Sequence, residues 1–151
     1  MSKVDATATV DADTGEIVAA LFGLVDTLKA HFEHVAAEFG LTPTQALALR
    51  CLDEPQAMGD LARHLRCERS NVPAVGDRLE ALRLVRRTTH PSDRRVTRLE
   101  LTAAGHRMRA DFAARLFAAV PAVAGLDDRQ RRTFRDLLRR ITAATTTSMV
   151  L

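Results

Sequence analysis

Tryptophan and tyrosine are absent from the 151-residue chain, and phenylalanine occurs only six times. Binding sites for sugars and for single-stranded nucleic acids lean on stacked aromatic rings, so both classes are disfavoured. Cysteine is scarce, and Cys51 and Cys67 alone do not make a disulfide framework. No apolar run approaches the roughly 20 residues of a membrane-spanning helix, and no membrane partner is expected. The N-terminus has no basic start followed by an apolar stretch, so no secretory signal is read and a cytoplasmic location is expected. Lysine is nearly missing: Lys3 and Lys29 stand against 20 arginines. The coding bias of a GC-rich genome explains such a preference, but not where the charges sit. What remains is ordinary for one folded domain, with 46% hydrophobic and 27% charged residues. That supports a sizeable core and excludes disorder over the whole chain.

The net charge of +3 hides a division along the chain. Residues 1–62 carry 3 basic and 10 acidic groups, a net −7. Residues 63–98 carry ten arginines against four acids, net +6, and residues 99–151 carry nine against five, net +4. A basic middle after an acidic first third points to a polyanion partner for that middle. The alternative is a solvated, salt-bridged face.

Apolar periodicity gives the organisation. Residues 1–12 have no period and read as a flexible arm. Asp13 and Glu16 form a candidate capping pair. Ile17, Leu21, Leu24, Leu28, Phe32, Val35 and Phe39 then recur at steps of three and four, predicting one long amphipathic helix that ends at Gly40. Thr42, Pro43 and Gln45 make a strong helix start. A short helix with Leu61, Ala62 and Leu65, a polar turn from Arg66 to Arg69, and a helix with Val72, Val75, Leu79 and Leu82 suggest a helix-turn-helix. Two strands, Val85–Thr89 and Val96–Leu101, around the turn His90–Asp93 predict a hairpin. Met108, Phe112, Leu116 and Val120 continue a helix to Pro121. Asp127 and Gln130 cap another, with Phe134, Leu137, Leu138 and Ile141 on its apolar face. The order is that of a winged helix-turn-helix, mainly α with a small β-hairpin wing. The expected division is an arm (1–12), an N-terminal dimerisation helix (13–40), the winged unit (41–101), and C-terminal dimerisation helices with a tail (102–151). The outer helices carry more apolar surface than the winged unit needs. They form a dimer interface or enlarge a monomeric core.

A helix-turn-helix presents the N-terminal end of its second helix to base edges in the major groove. Here that end is Arg69, Ser70, Asn71, Val72, Pro73 and Ala74, with Arg78 one turn further on. Asn71 suits adenine and an arginine suits guanine, each through a bidentate pair. Ser70 suits a phosphate oxygen or a helix cap. Pro73 requires a late helix start or a distorted first turn. The hairpin tip offers Arg94 and Arg95, and a guanidinium there can enter a narrow minor groove. Asp93 can fix the direction of one of them. Arg86, Arg87 and Arg98 on the strands suit phosphates. No phosphate loop, nucleotide fingerprint, metalloprotease helix or nucleophile elbow occurs. Ser70, His64 and Asp60 could be gathered into a triad, but they lie in a basic two-helix unit. The expectation is a protein that is not an enzyme and uses no cofactor and no metal.

The ordered set Leu61-Ala62-Arg63-His64-Leu65, Arg69-Ser70-Asn71-Val72, Asp77-Arg78-Leu79-Glu80, Leu84-Val85-Arg86-Arg87, Asp93-Arg94-Arg95 and Leu101-Thr102-Ala103-Ala104-Gly105 resembles the MarR family of bacterial transcription factors. The resemblance covers about residues 16–145. It implies a homodimer of winged units on a pseudo-palindromic operator in double-stranded DNA, repression of nearby genes, and in many members relief by a small aromatic compound, a metal or an oxidant. It also implies that Arg95 enters the minor groove, that Asp93 orients it, and that the helix from Ser70 reads bases. The chain departs from the pattern in several places. Pro73 replaces a common hydroxyl residue, Arg83 replaces the glycine before Leu84-Val85, and Ala57 is a poor helix cap.

Three sensor readings follow. Cys67 beside Arg66 and Arg69 could be a redox thiol, although a small structural residue is the preferred reading. His31, His34 and Glu38 could share a helix face and bind a metal, although a solvated face is preferred. A small aromatic effector would need an apolar cavity with a polar group, expected between the long helices and the winged unit. A winged-helix adaptor for a ligand or protein, without specific DNA binding, is the alternative to a regulator.

Overall fold

The computed structural model describes residues 11–148. Most of the expected arm therefore lies outside the described residues, as do the last three residues of the tail. In chain order the elements are α1 (Ala12–Glu38), α2 (Pro43–Cys51), β1 (Gln56–Ala57), α3 (Met58–Leu65), a 3₁₀ turn (Arg69–Asn71), α4 (Val72–Ala81), β2 (Val85–Thr89), β3 (Thr97–Leu101), α5 (Ala103–Ala118), α6 (Pro121–Ala124) and α7 (Asp128–Ser148). This is the mainly helical winged architecture expected, with one more strand. The sheet order is β1-β3-β2, and both pairings are antiparallel.

Local chemistry explains the boundaries. The first cap is Asp11 rather than Asp13, a correction: its carboxylate accepts the Thr14 N–H at 3.0 Å and the Thr14 hydroxyl as well. Those bonds hold the Asp11 carboxyl below its usual range. At the other end of α1, Gly40 takes φ +67°, with Gly40 N–H bonded to Ala37 O and Leu41 N–H to Ala36 O, both at 3.0 Å. This is a Schellman closure, with buried Ala36 and Leu41 at its hydrophobic contact. The Thr42–Gln45 capping box forms in full, at 3.0 and 3.3 Å. Asp127 and Gln130 make the same reciprocal pair before α7. Ala57 contributes no side-chain cap to α3.

The chain divides into two compact units. Lys29–Ala119 holds the core, where Val35, Leu49, Leu52, Leu61, Leu79, Leu99 and Phe112 are fully enclosed. Phe112 sits between Phe32 and Phe39, edge-on to each at 5.5 Å. The second unit comprises the described residues up to Leu28 and those from Val120 on. The long apolar stripe of α1 thus has two fates. Val35 is buried, while Ile17, Leu21 and Leu28 are exposed. Two further differences lie in the C-terminal part. The helix expected to run to Pro121 ends at Ala118, where Ala119 turns extended, and the Thr-rich stretch remains helical to Ser148.

The turn from α4 into the wing is closed in the same way as the end of α1, but around an arginine. Arg83 adopts φ +58°, with Arg83 N–H bonded to Glu80 O at 2.8 Å and Leu84 N–H to Leu79 O at 2.9 Å. The left-handed region costs a residue with a Cβ about 1–2 kcal/mol. Arg83→Gly is expected to raise the unfolding temperature by about 2–4 °C, an effect of order 1 kcal/mol. Thermal denaturation checks this, and an unchanged or lower temperature contradicts it.

Candidate nucleic-acid interface

The turn before α4 is built on backbone geometry. Arg66 takes φ 49° after α3, its N–H bonding Arg63 O while Cys67 N–H bonds Ala62 O, both at 3.2 Å. The chain then makes one 3₁₀ turn over Arg69–Asn71 before α4 begins at Val72. Pro73 falls within the first two helical positions, where its missing N–H costs no hydrogen bond. Asn71, not Ser70, is the cap residue, and its side chain makes no capping bond. Its amide is left available.

α4 buries Val72, Gly76 and Leu79. Gly76 permits the close approach, since a Cβ there would lie 3.2 Å from a Leu99 methyl on β3. The opposite face is exposed and carries Pro73, Ala74 and Arg78, continuous with exposed Arg69, Ser70 and Asn71. The structure therefore gathers these six expected site residues on one surface. The Arg69 guanidinium lies across the start of α3, 3.4 Å from where a Gly59 Cβ would be.

The wing separates its arginines into two groups. At the tip, Arg94 and Arg95 are exposed and make no ion pair with any described residue. Asp93 accepts the backbone N–H of Arg95 at 3.0 Å, and its own carbonyl accepts the Val96 N–H at 3.0 Å. Its carboxylate thus shapes the loop that carries Arg95. On the strands Arg86 and Arg87 are engaged. Arg86 bonds Glu100 across the hairpin at 2.9 Å. Arg87 bridges to Asp77, and to Glu80 at 3.3 Å, tying β2 to α4. Arg98 is half-buried, with its Nε enclosed and unpartnered beside the cross-strand Thr88, whose hydroxyl is likewise unpartnered. Arg86, Arg87 and Arg98 thus stand apart from the free arginines of the tip.

A cleft of about 650 Å³ lies between α3, the turn and the tip loop of the wing, lined by Gly59, Arg63, Arg66, Cys67, Arg69 and Val96 among others. Arg63 was not singled out in the sequence, and Arg66 only as a neighbour of Cys67. Their common spacing of three residues with Arg69 is the signal that could have found them.

The sensor candidates are placed as follows. Cys67 is half-buried in the cleft wall. Cys51 is half-buried at the end of α2, and burial pushes its thiol up. His31 Nε2 lies 3.0 Å from Leu116 O, whereas His34 lies 3.1 Å from Glu38, which also receives Arg115 at 2.6 Å. His31 is thereby drawn to another partner than His34 and Glu38.

Residues 41–97 match the family model for the MarR family. Over these residues, which carry the helix-turn-helix and most of the wing, the chain is similar to the MarR family. The MarR fold extends well beyond the matched residues. A MarR family protein from Bacillus stearothermophilus superposes with a TM-score of 0.75 at 23% identity, over 89% of this chain and 96% of that one. AbsC, a MarR family transcriptional regulator from Streptomyces coelicolor, superposes at 0.69 with 23% identity, over 91% and 97%. The YusO protein from Bacillus subtilis superposes at 0.70 with 24% identity, over 89% and 99%. No curated protein matches the sequence. No described helix is long and apolar enough to cross a membrane.

The Arg86–Glu100 pair gives a pH prediction. The hydrogen bond from Arg86 holds the Glu100 carboxyl below its ordinary value, and the charge of Arg86 adds to this. A depressed folded-state value means that the pair's contribution is fully present above the unfolded pKa of about 4.3 and is lost as pH falls through the lowered value. In an NMR titration Glu100 should remain ionised as pH falls through the unfolded glutamate value of about 4.3. Protonation at or above that value would remove the pair.

Proposed function

We propose that the protein is a dimeric, sequence-specific DNA-binding regulator of transcription that acts in the cytoplasm and represses nearby genes. The observation that carries this reading is the pair of free basic elements on one unit. Arg69–Asn71 and the outer face of α4 form one, and Arg94–Arg95 at the wing tip form the other. The first element suits base edges in the major groove, and the second suits the negative potential of a narrow minor groove. Dimerisation is supported by apolar residues that lie open on the outer helices. Phe22 and Ile17 of α1 are 69% and 59% exposed, and Leu137 and Leu138 of α7 are 46% and 36% exposed. A soluble chain covers such faces against a partner, and two winged units related by a twofold axis fit a pseudo-palindromic operator. The repressor role and its relief by a small aromatic effector rest on the family resemblance alone. Pro73, the one residue of the recognition helix that would favour an adaptor without DNA binding, sits in the first turn of α4 at no cost in hydrogen bonds.

A gel shift of the protein against its own upstream DNA tests the reading. A complex is expected at low salt, and a folded dimer that gives none contradicts it. Arg95→Ala should weaken operator binding at least about tenfold, the loss of one good guanidinium contact, while the dimer remains intact. Unchanged affinity would take the wing out of the mechanism.

A further inference from the structure

We infer that the cleft between α3 and the tip loop of the wing seats the DNA strand that separates the two grooves, with Arg63, Arg66 and Arg69 holding its phosphates. This rests on the DNA-binding reading above and deepens it. In a duplex, adjacent major and minor grooves are divided by a single sugar–phosphate backbone. With the start of α4 in one groove and the wing tip in the other, that backbone must cross the surface between them. The cleft is that surface: Arg69, at the entry to α4, stands on one side, and Val96, directly after Arg94 and Arg95, stands on the other.

Its chemistry suits phosphodiesters. Three arginines line it with one acid, Asp60, and that acid is taken up by Arg63. Arg66 and Arg69 make no ion pair with a carboxylate among the described residues. Gly59 leaves the floor without a side chain, which lets the Arg69 guanidinium lie flat beside it. The cleft, at about 650 Å³, is far larger than the share of one water, about 30 Å³, so it is an open, solvated groove rather than a packing fault. The backbone of Arg66 adds an independent argument. It occupies the left-handed region at φ 49°, where glycine is the ordinary residue. Arg66 keeps a conformation that costs stability at a place where its charge enters the cleft. Arg83 shares that conformation, at φ 58°, but not the cleft, and so serves as the control.

The test measures affinity of the full-length protein for its upstream DNA at several salt concentrations. Each phosphate contact contributes about 0.9 to the slope of log affinity against log salt. Arg66→Gly should lower the slope by about 0.9 and weaken binding several-fold, yet raise the unfolding temperature by about 2 °C. Arg63→Ala should lower the slope by less, because Asp60 already shares its charge, with base preference unchanged, whereas Arg83→Gly should stabilise the protein and leave the slope as it is. Cys67 reports on the cleft directly. In a Cys51→Ser background, its alkylation should slow at least about fivefold when DNA is bound, by exclusion of the reagent from the cleft. Wild-type binding with unchanged slopes in Arg66→Gly and Arg63→Ala, and with Cys67 alkylated equally in the complex, overturns this inference alone. Absence of any wild-type complex overturns it together with the reading beneath it.

Discussion

The carbonyl oxygen of Leu84 is the point on which the winged unit turns. Leu84 is buried between the end of α4 and the start of β2. Its oxygen accepts the Thr102 N–H at 3.0 Å; the Thr102 hydroxyl donates to the neighbouring Arg83 O at 2.7 Å, with Leu84 O a longer second acceptor at 3.2 Å, and itself accepts the Gly105 N–H at 3.0 Å. A Cβ on Gly105 would lie 2.0 Å from the same oxygen. One backbone acceptor therefore joins the end of α4, both strands of the wing and the first turn of α5. The Leu-Thr-x-x-Gly sequence has its physical reason here. Threonine supplies the cap and the tie, and glycine is the residue that leaves the carbonyl its place. Two contacts carry the constraint outward: Gly76 against Leu99, and Arg87 against Asp77 and Glu80. Together they fix the spacing between α4 and the wing.

That rigidity explains how the arginines are divided. A guanidinium paired with a carboxylate adds little net charge to a surface, and Arg86 and Arg87 are so paired. They serve the wing's own geometry. Arg69, Arg78, Arg94 and Arg95 have no acidic partner among the described residues and lie on the exposed rim. Counterion release draws most on charges of that second kind, because a phosphate then competes with no carboxylate for the guanidinium. The strongly basic middle of the chain is thus part scaffold and part unpaired surface charge, which net charge alone does not distinguish.

Much of this was legible in the sequence where the determinant is local. Capping boxes at Thr42–Gln45 and Asp127–Gln130 need residues three apart, and both form. The Gly40 closure and the distorted turn forced by Pro73 are likewise local effects. The missing glycine at Arg83 foretold a strained turn, and the turn is left-handed there. The unread parts depend on distant partners or on short elements without a period. β1 has two residues and exists only because β3 accepts it. The fate of Arg87 was set by Asp77, ten residues away on another element. Asp11 displaced Asp13 because Thr14 offers it two donors, a competition that spacing rules do not rank. The cleft arose from Arg63, Arg66 and Arg69 meeting Val96; the three-residue spacing of the arginines stands in the chain, but their meeting with Val96 does not.

The central claim, that the Leu84 junction sets the wing against α4, is tested most directly by the stability and DNA affinity of Gly105→Ala. The added methyl cannot be housed without moving the carbonyl, so the account predicts a loss of about 3 kcal/mol, the upper part of the usual overpacking range. It also predicts faster amide exchange in β2, β3 and the end of α4 together and, on the proposed function, loss of DNA binding while the chain remains folded. A variant with native stability, native exchange in the wing and unaltered affinity would contradict it.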